Sequence, residues 1–361
     1  MAMPAEPPRA AERRTVPTLR GPERRAIAGL PDWLTELHLH LGGAVAPHVL
    51  WEMAHAQGMK LPVATYFDFI DLVTSSPERV KSLDDYLAIL HRWTERIQSG
   101  PQSVERAVYE VLAKEYRGSR VSTMELRFNP MKRNLGGEQD LDHIIHAALR
   151  GLDRACLEYD VRAGLIFCLA REFPAELNEV LVEKAIRYRP RGVIGIDLAG
   201  TESMRPELDP VSAARFAGMF ERARAAGLGT TVHTGETPAT HAEGVIAAVE
   251  LLRPDRIGHG IRAASSAEAM RRLRETGTVL EICPTSNLHT RAVSGLDELG
   301  AIVRTLLDNG VRITINTDAT YLLATDLRRE VELLATGGIL SGDEIAACFE
   351  TAREATFLAE G

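Results

Sequence analysis

His38-Leu39-His40 sets two imidazoles two residues apart at the end of the apolar run Trp33-Leu34-Thr35-Glu36-Leu37. On a strand, positions i and i+2 share a face, so both rings can reach one metal ion. Half-buried strands also carry such pairs without any metal, so the companions decide. Val232-His233-Thr234-Gly235-Glu236, Ile257-Gly258-His259-Gly260 and Ile315-Asn316-Thr317-Asp318 each place a ligand or an acid/base at the end of a short β-rich run. A catalytic zinc takes three or four nitrogen and oxygen ligands and keeps one position for water. His38, His40, His233 and Asp318 offer three imidazoles and a carboxylate. That set suits zinc, with iron or cobalt also admitted by ligand type. Glu236, three residues after His233, is placed for proton transfer; the plainer alternative is a carboxylate favoured by a helix dipole. His259, with glycine on both sides, can hold or polarise the attacking water, although a solitary histidine is more often structural. Gly200 ends the run Gly195-Ile196-Asp197-Leu198-Ala199-Gly200 and lets a ligand approach the backbone closely. No lysine lies in residues 194–200, where dinuclear metallohydrolases often place a bridging one, and this favours one metal ion per chain.

These residues need a scaffold that brings distant strand ends together. Strands are predicted at Thr35–His40, Val121–Arg127, Ala163–Ala170, Val193–Leu198, Thr230–Thr234, Arg256–Gly258, Thr278–Ile282 and Arg312–Asn316. Helical patterns separate them, such as Val211–Ala226 with Ala214, Met219 and Phe220 on one stripe, stopped by Gly227-Leu228-Gly229. Eight β/α units predict a TIM (β/α)8 barrel, an α/β fold whose active site sits at the C-terminal strand ends. Strands one and eight adjoin when such a barrel closes, so His38, His40 and Asp318 can meet. About eighty residues separate the first two strands, far more than a crossover needs. This helical insert, about residues 46–118, has helical patterns at His48–Gln57, Ser82–Ile97 and Ser103–Gly118 and carries Phe67, Phe69, Ile70, Tyr86, Leu87, Leu90 and Trp93. It is either extra packing or a helical lid over the barrel mouth.

The chain's 361 residues fit one such barrel, residues 26–361, preceded by a disordered tail over residues 1–25 that is rich in Pro, Ala, Arg and Glu. A net charge of −8 argues against a nucleic-acid partner, and no run of 18 apolar residues could span a membrane. Cys156, Cys168, Cys283 and Cys348 form no disulfide pattern; Cys168 and Cys283 sit in apolar runs as small core hydrophobes. A reducing cytoplasm is the expected location, and a homo-oligomer is compatible with the sequence.

Six segments together resemble the adenosine/adenine deaminase family: Glu36-Leu37-His38-Leu39-His40-Leu41-Gly42-Gly43, Gly195–Gly200, His233-Thr234-Gly235-Glu236, Arg256-Ile257-Gly258-His259-Gly260, Cys283-Pro284-Thr285-Ser286-Asn287 and Asn316-Thr317-Asp318. They keep the family's order and cover the chain from Thr35 onward. The resemblance implies a zinc aminohydrolase with one Zn2+ per chain that replaces an exocyclic amine of a purine-like small molecule with oxygen. It implies metal ligation by His38, His40, His233 and Asp318, proton shuttling by Glu236, a water-orienting role for His259, catalytic participation of Asp318, and substrate contact by Gly200 and His40.

Two positions depart from the family pattern. An aspartate that usually follows Leu41 and holds a ribose 5′-hydroxyl is Gly42 here. A second that usually follows the metal-binding aspartate and bonds the purine N7 is Ala319. Losing a hydrogen bond to a buried polar atom costs roughly 1–3 kcal/mol. Plain adenosine is therefore disfavoured, and Gly42 and Ala319 point to a 5′-modified adenosine such as aminodeoxyfutalosine, or to a free base. Hydrolysis of a non-purine amidine, guanidine or cyclic amide is a second reading. A catalytically silent metal- or ligand-binding protein is a third, opposed by the presence of Glu236 and His259, which merely holding zinc does not require.

Overall fold

The computed structural model describes residues 27–76, 79–135, 137–205 and 209–359. The expected tail over residues 1–25 lies outside them. Eight strands form one parallel sheet in sequence order: β1 Leu34–His40, β2 Val121–Phe128, β3 Arg162–Ala170, β4 Val193–Ala199, β5 Gly229–Thr234, β6 Arg256–His259, β7 Val279–Ile282 and β8 Ile313–Ile315. The ring closes through one parallel bridge, Leu39 to Asp318. There Asp318 N donates to His38 O and His40 N to Asp318 O, both at 2.8 Å. This is the TIM barrel that the alternation of elements predicts.

Helices enclose the sheet, packing apolar stripes against it, and several open on a side-chain cap. Asp140, Asp209, Ser266 and Ser341 cap the helices Leu141–Glu158, Pro210–Ala225, Ala267–Thr276 and Gly342–Ala355. The stripe of Pro210–Ala225 runs through Ala213, Phe216, Met219, Phe220 and Ala223. Ala214, expected on that stripe, is exposed instead, about 100° around the helix from Ala213.

The insert folds as helices over Pro47–Ala56, Tyr66–Val73 and Leu83–Ile97, the last interrupted by a π turn at Leu90–Thr94. Thr65 caps the short helix Tyr66–Val73 by accepting from Asp68 N at 3.2 Å. Phe69 meets Trp51 edge-on at 5.1 Å, which fixes that helix on its neighbour. The segment Leu83–Leu90 reaches the mouth of the barrel, where Leu83, Tyr86, Leu87 and Leu90 line a cavity.

The barrel interior is charged where an apolar core is usual. Glu125, Arg127, Asp197, Arg256 and Glu281 are all fully buried. Arg256 pairs with Glu125, and its Nε donates to Glu281 Oε1 at 2.6 Å. Arg127 then links Glu281 Oε2 at 3.0 Å to Asp197 Oδ2 at 3.3 Å. The column rises from the N-terminal end of the strands toward the histidines.

Candidate metal centre and active site

His38 and His40 end β1 on the same face, as their spacing requires. His233, next to last in β5, faces them across the lumen. The three Nε2 atoms converge: His38 to His233 is 3.0 Å and His40 to His233 is 3.1 Å. Asp318, three residues past β8, brings Oδ1 to 3.6 Å from His38 Nε2 and 3.5 Å from His40 Nε2. The structure thus gathers all four residues that the sequence offered as ligands. Among the described residues, only His38, His40 and His233 form a histidine, cysteine or carboxylate group of three or more close enough to hold an ion.

The donor set fits a divalent cation on two counts. His38 Nδ1 lies 2.7 Å from Glu281 Oε2, and His233 Nδ1 lies 3.0 Å from Asp197 Oδ1. Burial raises the pKa of both acids, but Arg127 and Arg256 at Glu281, and His233 and Arg127 at Asp197, hold them well below the usual carboxylate range. Ionised carboxylates only accept, so each Nδ1 carries the proton and each Nε2 turns a lone pair inward. With both rings neutral, two lone pairs facing each other at 3.0 Å offer a cation a place between them. The charge balance agrees in sign: buried Glu125, Asp197, Glu281 and Asp318 outnumber buried Arg127, Arg256 and Arg171 by one negative charge. Glu281→Gln keeps the shape and removes the charge behind His38. Chelator competition is expected to read an affinity for the metal lower by about 10–100-fold. An unchanged affinity would mean that Glu281 serves the two arginines alone.

Glu236 lies beyond the end of β5, before the helix His241–Ala247 begins, so it is not that helix's dipole partner. Its Oε1 accepts from Thr290 Oγ1 at 3.0 Å and its Oε2 stands 3.7 Å from His259 Nε2. Burial first, then the nearby Glu202 and Asp318 charges, push its carboxyl pKa well above the ordinary value. That environment favours the protonated form of the carboxyl. Glu202 turns this loop by accepting from Glu236 N at 3.0 Å and Thr237 N at 2.7 Å.

His259 closes β6. Asn287 Nδ2 donates to its Nδ1 at 3.0 Å, and burial with the nearby His38 keeps the ring neutral. Its Nε2 proton is thereby directed toward Glu236. Ser286 Oγ donates to Asp318 Oδ2 at 2.6 Å, so the segment Pro284–His289 braces both residues. His259 and Asp318 also share left-handed backbone, at φ 60° and 63°. Such conformations cost about 1–3 kcal/mol each and persist where the surroundings over-determine them.

The cavity above these groups is roofed by Leu83, Tyr86, Leu87 and Leu90 and walled by Gly200, Glu202 and Ala199. Gly200 has φ 113°, and a Cβ there would sit 2.4 Å from Glu172 Oε1, so only glycine fits. Gly42 is buried in the turn Leu41–Ala44. A Cβ on it would come 2.8 Å from Leu90 Cδ1 and 3.2 Å from both Arg133 Nη2 and Glu95 Cγ. The space left by the missing side chain is thus occupied by the insert and by Arg133. Ala319 is fully buried in a cluster with Tyr86, Ile89, Leu90 and Leu322, and of these Tyr86 and Leu90 line the cavity. A separate wide cleft opens at the N-terminal end of the strands beside Arg256 and Phe357. It holds no histidine, and that end of a barrel serves stability.

Sequence reasoning missed Arg127, Glu281, Ser286 and Asn287 as supports. The available signal was a charged residue inside an otherwise apolar strand of the lumen, as with Glu281 in Val279–Ile282.

With the geometry in place, the chain matches the sequence profile described as adenosine deaminase over residues 34–361. It is 30% identical over 322 residues to an adenosine deaminase from Clostridium botulinum, covering 89% of this chain and 92% of the relative. An amidohydrolase from Burkholderia ambifaria, solved with bound zinc, superposes with a TM-score of 0.79 at 24% identity, over 91% of this chain and 86% of the other. The arabidopsis protein ADAL, solved with IMP, gives 0.74 at 27% identity, over 90% and 92%.

Proposed function

Because the chain belongs to the adenosine deaminase family and is a hydrolytic deaminase, we propose that it replaces the amine of a 6-aminopurine with oxygen at a centre holding one zinc ion. The observation that carries this reading is the convergence of three imidazole Nε2 atoms and the Asp318 carboxylate beside the buried carboxyl of Glu236. His38, His40, His233 and Asp318 would hold the ion, and a bound divalent metal supplies a water activated for attack at neutral pH. The zinc in the Burkholderia structure and the IMP in the arabidopsis one support the metal and a purine ligand.

The chain's own groups supply the rest. Glu236 gives its proton to the ring nitrogen next to the amine-bearing carbon, and that carbon becomes electrophilic. Asp318, held by Ser286, accepts a hydrogen bond from the attacking water and aims it. His259, kept neutral and oriented by Asn287, donates from Nε2 to the oxygen as charge builds on it. The backbone at Gly200 lets the ring lie flat against the wall. Tyr86, Leu87 and Leu90 keep bulk water out, the part a lid plays. The two protons of the attacking water balance the step: one passes to the departing amine, which leaves as ammonia, and the other restores the Glu236 carboxyl, while the ring nitrogen keeps the proton that Glu236 gave it.

The test pairs metal analysis of the purified protein with ammonia release from adenine, adenosine, adenosine 5′-monophosphate and 5′-thioadenosines. About one zinc per chain and turnover of at least one 6-aminopurine are expected. Turnover confined to non-purine amidines, or two metal ions per chain, contradicts the reading.

A further inference from the structure

The cavity does not end at the catalytic groups. Past the shared walls of His40, Leu87, Leu90, Ala199 and Gly200 it runs into a second lobe beside Gly42. The reactive lobe presents Glu236, Glu202 and Asp318. The second presents Lys132, Arg133 and His91, with Glu95, paired to Arg133 and His91, as the one acid in its lining. Arg127 also reaches it, but that guanidinium is balanced within the barrel column.

The cations are incompletely used. Lys132 Nζ stands 3.5 Å from His91 Nε2, and the carboxylate nearest it, Glu172 Oε2, is 3.7 Å away. Arg133 is 1% exposed. Its Nη1 is 2.8 Å from Glu95 Oε1 but makes no aligned hydrogen bond, and its Nε has no partner. Glu95 is already shared with His91 Nδ1. A buried guanidinium with open donors beside a second cation matches the planar or tetrahedral oxygens of an oxyanion.

The chemistry at the other end fixes which part of a ligand arrives here. A purine whose amine-bearing carbon faces Glu236 and the histidines points its sugar-bearing nitrogen away from them. The sugar and its 5′ carbon then extend toward Gly42. We propose that Lys132, Arg133 and His91 form an anion subsite, so that the substrate is a 6-aminopurine nucleoside bearing a phosphate or carboxylate on its 5′ side. The proposal rests on the deaminase reading above.

Four nucleosides test it: adenosine, 5′-methylthioadenosine, adenosine 5′-monophosphate and a 5′-thioadenosine with a carboxyalkyl arm. The anionic member that fits is expected to exceed both neutral ones in kcat/KM by about 10- to 150-fold, the worth of a charged hydrogen bond. Preference for the monophosphate identifies phosphate, and preference for the carboxyalkyl compound identifies a carboxylate on a longer arm. Lys132→Gln should collapse that ratio to within about threefold, mainly through KM for the anionic substrate. Because Lys132 is partly exposed, the variant should fold; His91→Gln, tested beside it, should lower the ratio as well. Adenosine turned over as well as both anions, or a preference that survives both variants, overturns the subsite and leaves the deaminase reading standing. Ammonia from none of the four overturns the subsite, and if free adenine is also inert the deaminase reading falls with it.

Discussion

Glu236→Gln loses about 10²–10⁴-fold in turnover while the protein keeps its metal. The carboxyl is buried, anchored by Thr290, and holds its proton because burial and the Glu202 and Asp318 charges disfavour ionisation. Glutamine preserves the volume and the bond from Thr290 but has no proton to transfer to a ring nitrogen. It does not face the cluster of His38, His40 and His233 as a ligand, so metal content should match the parent. Measuring kcat on the best substrate beside zinc per chain separates the two effects. A variant that turns over like the parent would sink the proton-transfer role; one that loses zinc would make Glu236 part of the metal cage.

His233→Ala is expected to cost more than this in apparent activity, and through another route. The imidazole is the point where the other two meet, at 3.0 and 3.1 Å from His38 and His40. Its loss removes one ligand and leaves Asp197 facing a cavity, with Arg127 as its remaining ion-pair partner. Metal affinity should fall by more than the roughly 10–100-fold of an outer-shell change. Zinc per chain should drop well below one, with activity following occupancy as the ion is titrated back. Full zinc and full activity in this variant would remove His233 from the site.

Much of the barrel was legible because strand ends and ligands coincide. A metal ligand or acid must lie where the chain leaves the sheet, so Asp318 and His259 marked the ends of β8 and β6 as well as the chemistry. The lumen was not legible. Arg127 and Glu281 lie 154 residues apart and become partners only when the ring closes. The helix Tyr66–Val73 was hidden because Tyr66, Phe67, Phe69 and Ile70 read as an apolar run without a clear period. The π turns at Leu90–Thr94 and Glu115–Ser119 each insert one residue and have no composition of their own. The subsite residues Lys132 and Arg133 follow β2 in a short 3-10 turn and resemble any surface pair until the insert folds over them.

Seven ladders join consecutive strands, yet among the described residues the first and last pair their backbones through one bridge, Leu39–Asp318, helped by side-chain bonds from Leu37 N to Asn316 and from Thr317 to Glu36. A cation held by His38, His40 and Asp318, as proposed, would straddle that seam and act on it as a crosslink. A ligand that binds only the closed form stabilises it in proportion to the logarithm of its saturation. Affinity for the ion and integrity of the ring are then one linkage seen from its two ends. Chelation would then reach beyond chemistry to architecture, loosening the barrel first where its opening strand meets its closing one.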